Sequence, residues 1–222
     1  MEQVKLVWYV WLKELKLPKF RYQTLLVILF ISIEIYFLRS FMAYVESRPG
    51  LLIDDFILNL LPAVNLSAPI FILIYGGCIF TLVQLIKTPD NLIKAYLAYG
   101  LLILFRFIVL FFVPLEAPLG IIPLKDPFLE MTIYNHDVLT KDLFFSGHTA
   151  TLALCVFLVK EQYKKWIILL TMLVAIMLLV QHVHYTIDIL AAPFFAWQSH
   201  FLAFKHRKLG TLIAPALVKT KR

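Results

Sequence analysis

Six stretches of this chain, at 24–45, 67–86, 95–115, 143–159, 166–184 and 187–204, are almost wholly apolar and each is roughly 20 residues long. That is the length of helix needed to cross the hydrocarbon of a bilayer, where every backbone polar group must be satisfied inside its own segment. Composition agrees, since 61% of the residues are hydrophobic and only 16% are charged. A soluble domain is about half apolar. The expected fold is all-α: a polytopic membrane protein with a six-helix transmembrane bundle and an N-terminal interfacial helix. The expected division is an amphipathic segment at 1–22, a six-span membrane domain at 23–204 and a basic tail at 205–222.

The first twenty residues carry Lys5, Lys13, Lys16 and Lys19 among Trp8, Tyr9 and Trp11. This pattern reads as a helix lying in the membrane interface rather than as a cleavable signal peptide. Cations are distributed unequally between the two sets of connections. Sixteen lie in the N-terminal arm, at Lys87 and Lys94, at Lys160, Lys164 and Lys165, and in the tail. Only Arg39, Arg48, Lys125 and Lys141 fall on the opposite side, with Arg106 inside a span. Asp54, Asp55, Glu116, Asp126, Glu130, Asp137 and Asp142 share the cation-poor side. Both termini are therefore expected to be cytoplasmic. The net charge of +7 is a topology signal, and nucleic acid is excluded as a partner because the basic residues are dispersed among four segments.

Cys78 and Cys155 fall within spans and read as small packing residues, not as a disulfide. There is no internal repeat or low-complexity run. The one long connection, 116–142, contains Pro118, Pro123 and Pro127 and serves either as a plain connector or as a lid beside substrate access.

Chemistry concentrates in two motifs. Phe144-Phe145-Ser146-Gly147-His148-Thr149 and His184-Tyr185-Thr186-Ile187-Asp188 lie 36 residues apart, histidine to histidine. An apolar helical hairpin separates them, turning at 160–165. Two helices of similar length would return His148 and His184 to similar depth. If the backbone is helical, His184 and Asp188 share one face, and the carboxylate can orient one ring nitrogen while the other attacks. A Ser-Gly-His turn at a helix start supplies N–H groups for an oxyanion and an imidazole for proton transfer. The pattern reads as a phosphoryl-transfer site that uses no cofactor and no metal, since the motifs provide no zinc-type ligand cluster. His136, His200 and His206 read as interfacial, and His182, on a different face from His184, as structural.

At these residues the chain resembles the sphingomyelin synthases and their relatives, a branch of the type 2 phosphatidic acid phosphatase superfamily. Lys141-Asp142-Leu143-Phe144-Phe145-Ser146-Gly147-His148-Thr149 is similar, from the aspartate onward, to the family's Cys-Gly-Asp-Tyr-Leu-Phe-Ser-Gly-His-Thr. The later block His184-Tyr185-Thr186-Ile187-Asp188 resembles its His-Tyr-Thr-x-Asp. Leu52-Ile53-Asp54-Asp55 with Pro62 is similar to the first luminal block, although Leu52 and Ile53 replace its prolines. Arg106 with Pro118 resembles the arginine-bearing third span and its proline loop. The resemblance implies six spans with an exoplasmic site and a reaction that moves a phospho-alcohol, phosphocholine or phosphoethanolamine, from a glycerophospholipid donor to a lipid alcohol such as ceramide. Diacylglycerol is released.

The same resemblance implies roles. His184 is the nucleophile that forms a phosphohistidine, Asp188 orients it, and His148 is the acid and then the base. Arg106, Ser146 and Gly147 would hold the phosphate, with Arg106 alternatively snorkelling or pairing with Glu34. Asp55, Asp142, Phe145 and Tyr185 would line the substrate pocket, and Phe144 and Tyr134 are further aromatic candidates near a headgroup. The competing activities are a lipid phosphatase and a phospholipase C-like phosphodiesterase of the same superfamily. The phosphatase branch has a Lys-x6-Arg-Pro block and an arginine six residues before the second histidine. Here Phe41 precedes Arg48-Pro49 where the lysine would stand, and Leu178 takes the second arginine's place. A monoester approaches two negative charges and a diester carries one, so a site with one candidate cation suits the diester. No oligomeric state is assigned.

The cation asymmetry makes a direct prediction. A cysteine substituted for Asp137 should react with an impermeant thiol reagent added outside, and one substituted for Lys164 only after permeabilisation. Labelling of both from one side would reject the six-span arrangement.

Overall fold

The computed structural model describes residues 2–124 and 139–218, with side chains for 4–124 and 139–205. Lys125, Asp126, Pro127, Glu130, Tyr134, His136 and Asp137 therefore lie outside the described residues, as does the side chain of His206. Among the described residues eight helices follow one another: α1 Glu2–Leu15, α2 Pro18–Ser47, α3 Phe56–Asn59, α4 Ser67–Leu85, α5 Pro89–Phe112, α6 Gly147–Leu158, α7 Glu161–Val180 and α8 Thr186–Val218. Proline opens α2 and α5, where its missing N–H costs nothing. The chain is an α-helical membrane protein.

By length and composition, α2, α4, α5 and α7 can each cross a membrane. The other two expected spans take a different form. The stretch 143–159 begins as irregular backbone and only its last part is helical, so α6 has 12 residues and a length of about 18 Å. The expected last span lies within α8, which carries Asp188, Gln198 and His200 and continues past the expected start of the tail. The hairpin between the motifs also turns more sharply than expected. Lys160 has extended backbone and α7 starts at Glu161, so the expected 160–165 turn is mostly helix. Its first-turn carboxylate Glu161 pairs with Lys164 at 2.6 Å.

The short α6 is the centre of the bundle and packs against α4, α5, α7 and α8. One face meets α5 and α8 through small residues: Ala98, Ala150, Ala153, Ala192, Ala196 and Ala203 are all buried, with Leu102 and Phe145 filling the space between them. Lipid offers no hydrophobic advantage to helix association, so close backbone approach through small side chains is what binds such helices. The other face meets α4 and α7 through Leu152, Ile70, Ile74, Val174 and Leu178. Most of the perimeter is apolar and exposed, including Leu25, Ile28, Leu29, Ile72, Ile79, Leu169 and Leu173. That is the surface a hydrocarbon solvent requires.

At the lysine-rich end, α1 is pinned by the Trp11 indole N–H, which donates to Ile86 O at 2.8 Å. At the opposite end, the chain after α2 and the chain after α5 run side by side. Leu51 N–H donates to Pro114 O at 2.9 Å and Glu116 N–H to Leu51 O at 3.0 Å. A Cβ on Gly50 would lie 2.4 Å from the Leu115 carbonyl carbon, so only glycine permits this approach.

Because α6 is held through alanines, enlarging them should separate the helices that carry the two motifs. Ala150→Leu should destabilise the protein by about 1–3 kcal/mol, while Leu169→Ala on the perimeter should change it by less than about 0.5 kcal/mol. Thermal unfolding in one detergent checks both.

Candidate active site

The two motifs meet at the end of the bundle opposite α1. Ser146 caps α6, its hydroxyl accepting from Thr149 N–H at 3.3 Å, which leaves the Gly147 end of the helix to the site. His184 lies in the turn between α7 and α8, not on a helix. The helical spacing expected for His184 and Asp188 is therefore achieved another way. Asp188 stands in the first turn of α8, and its Oδ2 reaches back to accept from Tyr185 N–H at 3.0 Å. His184 approaches that same oxygen from the preceding turn, Nδ1 to Oδ2 3.4 Å. The contact has the distance of an ion pair without the alignment of a hydrogen bond, and Asp188 Oδ1 has no hydrogen-bond partner. Both residues are buried, His184 at 2% exposure and Asp188 at 0%.

His148 faces His184 with ring centroids 6.4 Å apart and planes tilted by 58°. The Phe71 ring of α4 lies edge-on to His148 at 5.9 Å. One backbone bond joins the motifs directly, Ser146 N–H to Asp188 O at 3.1 Å. The N-termini of α6 and α8 thus converge, and both present the positive ends of their dipoles.

Arg106 lies beneath the Ser-Gly-His turn. Its guanidinium donates to Phe145 O and to the Asp142 carboxylate, and sits over the Phe145 ring with its carbon 5.5 Å from the centroid. A Cβ on Gly147 would lie 3.0–3.2 Å from the guanidinium atoms, so glycine lets the cation press against the turn. The partner is therefore Asp142, not Glu34. Glu34 is buried in α2 against Gly100 instead. Among the described residues, the nearby cations are committed elsewhere. Arg48 donates to the last carbonyls of α5, Leu110 O and Phe111 O, and Lys141 pairs with Glu116 at 2.9 Å.

Two of the expected pocket residues are in the interior. Phe145 is wholly buried and stacks on Phe195 at 4.1 Å with planes 9° apart. Tyr185 is buried too, its hydroxyl donating to Glu116 O at 2.9 Å and accepting from Ile53 N–H at 3.3 Å. Neither lines an open pocket, because each ring holds structure together beneath the site. Asp142 remains at the site edge through Arg106. Asp55 reaches Thr186, in the second motif, with Oδ2 accepting from its N–H at 2.6 Å. Burial alone would raise the Asp55 carboxyl, but bonds from Thr186, Leu58 and Ile57 outweigh it and hold it below the ordinary carboxylate range.

Several residues that position the site carry no motif signature. Gln181 ends α7 and is fully buried. It accepts from Leu66 N–H at 2.8 Å and donates to Ser67 Oγ at 2.9 Å and Ile122 O at 3.1 Å. His182 follows with φ 57°. Its N–H bonds to Leu179 O and that of Val183 to Leu178 O, a Schellman end in which histidine takes glycine's usual place. Its two ring nitrogens lie 3.1 Å from Leu119 O and Leu61 O. Glu46 accepts from Thr140 N–H and Lys141 N–H, both at 3.0 Å, which fixes the approach to Asp142. A polar side chain at the end of an apolar run is the signal these share. Leu178 has no exposure and lies among Ile70, Ile74, Leu152 and Val174. Among the described residues no group of three or more His, Cys, Asp or Glu could hold a metal ion.

The bidentate hold of Arg106 makes a prediction. Arg106→Lys keeps the charge but cannot donate to Phe145 O and Asp142 together. Stability should fall by about 1–3 kcal/mol, with Asp142→Asn falling similarly and the double substitution costing less than the sum of the two. Denaturation of the four proteins in one detergent closes the cycle.

Comparison with known proteins adds one finding and one absence. No curated protein matches the chain. Residues 141–206 match the family model described as PAP2 superfamily C-terminal. The matched stretch begins at Lys141 and takes in Arg106's partner Asp142, the Ser-Gly-His turn, His184 and Asp188. This similarity supports the type 2 phosphatidic acid phosphatase superfamily and, with it, lipid phosphate chemistry of the phosphatase or phosphotransferase type in a membrane.

Proposed function

We propose that the protein is a lipid headgroup phosphotransferase, with its site on the exoplasmic side and both termini cytoplasmic. The observation that carries the reading is the buried His184, 3.4 Å from Asp188 and facing His148 across 6.4 Å between ring centroids. Bilayer interiors tolerate such ionisable groups at a cost that function usually explains.

In this reading His184 attacks the phosphorus of a glycerophospholipid diester through Nε2. A P–N bond forms as the P–O bond to the glycerol carbon chain breaks, and His148 gives its proton to the departing diacylglycerol oxygen. His148 then takes the proton of an incoming lipid alcohol such as ceramide, whose oxygen displaces His184. Asp188 holds the His184 tautomer and stabilises the charge on its ring. Acid–base help of this kind contributes about 10²–10⁴-fold. Arg106 and the Ser146–Gly147 helix start receive the phosphate oxygens. The charge on the phosphate selects the substrate. Arg106 shares its charge with Asp142, Arg48 and Lys141 are engaged, and buried Leu178 offers no cation. One shared cation favours a diester over a phosphomonoester. An apolar mouth would favour a lipid alcohol over water and give transfer, whereas a wet mouth would give hydrolysis.

The test is product analysis by mass spectrometry, with purified protein given phosphatidylcholine, phosphatidylethanolamine or phosphatidic acid, each with and without ceramide. Diacylglycerol should appear from a diester together with the headgroup-bearing ceramide. His148→Ala, His184→Ala and Asp188→Asn should each lose at least about 100-fold in turnover and remain folded. Phosphate release from phosphatidic acid that outruns diacylglycerol release from either diester would replace this reading with the phosphatase one.

A further inference from the structure

The connection between α2 and α4 reaches the second motif at two places: Ile53 N–H bonds the Tyr185 hydroxyl at 3.3 Å, and the Asp55 carboxylate bonds Thr186. Asp55 caps α3, its Oδ1 accepting from Ile57 N–H at 3.0 Å and Leu58 N–H at 3.3 Å. The same side chain accepts from Thr186 N–H at 2.6 Å and from the Thr186 hydroxyl at 3.0 Å. Thr186 is the first residue of α8 and the midpoint between His184 and Asp188. Four donors engage most of the acceptor capacity of a carboxylate, so Asp55 is committed to the protein. That replaces the expectation that it lines the substrate pocket.

His184 and Asp188 have no hydrogen bond between them to keep them together. One belongs to the turn and the other to the helix, and their separation is set where turn becomes helix. That junction is Thr186. Asp188 is fixed by Tyr185 N–H at Oδ2 from its own motif and by Ser146 N–H at its carbonyl from the first motif. Asp55 supplies the hold from across the site, from 131 residues away.

We propose that Asp55 is a positioning residue for the His184–Asp188 pair. It fixes the start of α8 so that the carboxylate stays against the imidazole; this rests on the reading of that pair as nucleophile and orienter. Its anionic form is required because Thr186 presents two donors at once. An asparagine of the same shape keeps one acceptor and turns an N–H₂ group toward a donor, which frees the junction without emptying the space.

The experiment uses the full chain in lipid nanodiscs with phosphatidylethanolamine and ceramide. Asp55→Asn should lower kcat by about 100-fold, the usual effect of misplacing a reacting group by about 1 Å, with KM for the donor within about twofold of wild type. Backbone hydrogen exchange at 184–190 should quicken while α5 and α6 keep their protection. Thr186→Val removes one of the four bonds and should lower kcat by about fivefold, the equivalent of about 1 kcal/mol, whereas Thr186→Ser should match wild type. The double Asp55→Asn/Thr186→Val should be no slower than Asp55→Asn alone.

Wild-type kcat in Asp55→Asn, a loss confined to KM, or unchanged exchange at 184–190 would each overturn the proposal. If Asp55→Asn does not fold, the Thr186 pair decides, and wild-type kcat in Thr186→Val rejects it. Turnover by His184→Ala would reject the functional reading instead, and the exchange at 184–190 would still judge the hold exerted by Asp55.

Discussion

A helix that ends inside a membrane protein leaves carbonyls unpaired, and the next helix begins with unpaired N–H groups. Between α7 and α8 both sets fall within a few residues, in a place largely closed to water. The chain resolves this by binding the turn to the two connections beside it. Val180 O takes Val64 N–H at 3.1 Å, and Gln181 O takes Ile122 N–H at 3.2 Å. The Gln181 and His182 side chains reach both connections, Tyr185 bridges Ile53 and Glu116, and Thr186 meets Asp55. Satisfaction of backbone polarity therefore fixes His184 in space. The catalytic arrangement proposed above is carried by bonds whose first task is to fold the turn.

Electrostatics at the site follow from the same economy of partners. Two helix starts point positive ends inward, and Arg106 adds a full charge beneath Gly147. Asp142 offsets part of it, and Asp188 brings a second negative charge close by. In the proposed reading a phosphate with one net charge enters this balance by competing with Asp142 for the guanidinium. A second charge would, in the same reading, meet Asp188 with no further cation among the described residues to answer it, and burial of an unpaired charge costs several kcal/mol. The substitution of Leu178 and Phe41 for cations is consistent with that balance. Leu178 is packed on all sides, and Phe41 lies against Phe107 at 4.7 Å.

Membrane character and the two motifs were legible because hydropathy and motif spacing are local properties of the sequence. The His184–Asp188 approach was legible as well, though the helix expected to produce it starts two residues after His184. What stayed hidden was long-range. Nothing local in the sequence says that Asp55 bonds Thr186, that Tyr185 is a strut rather than a pocket wall, or that Arg106 selects Asp142 over Glu34. Each depends on which connections lie side by side, and that is set by Gly50 against Leu115 and by the polar contacts of the turn. His182 is instructive in another way. A non-glycine residue at positive φ is uncommon, and here it is offset by two contacts that glycine could not make.

The unequal lengths of α6 and α7 determine where chemistry can occur. Two helices of similar length would end at similar depth. The helices have 12 and 20 residues, so α7 rises about 12 Å farther from their shared turn than α6 if both run along the bundle axis. On that geometry His148, at the start of α6, lies below the end of α7. The rings nevertheless come within 6.4 Å, so the turn after α7 must lead the chain back down toward the bundle interior before α8 begins. The irregular segment 139–146 fills the space above α6, with Leu143, Phe145 and Ser146 buried in it. Such backbone is tolerated at membrane depth only where protein surrounds it. In the proposed reading a site below the end of α7 suits an amphiphile whose phosphate must be reached while its acyl chains stay in hydrocarbon.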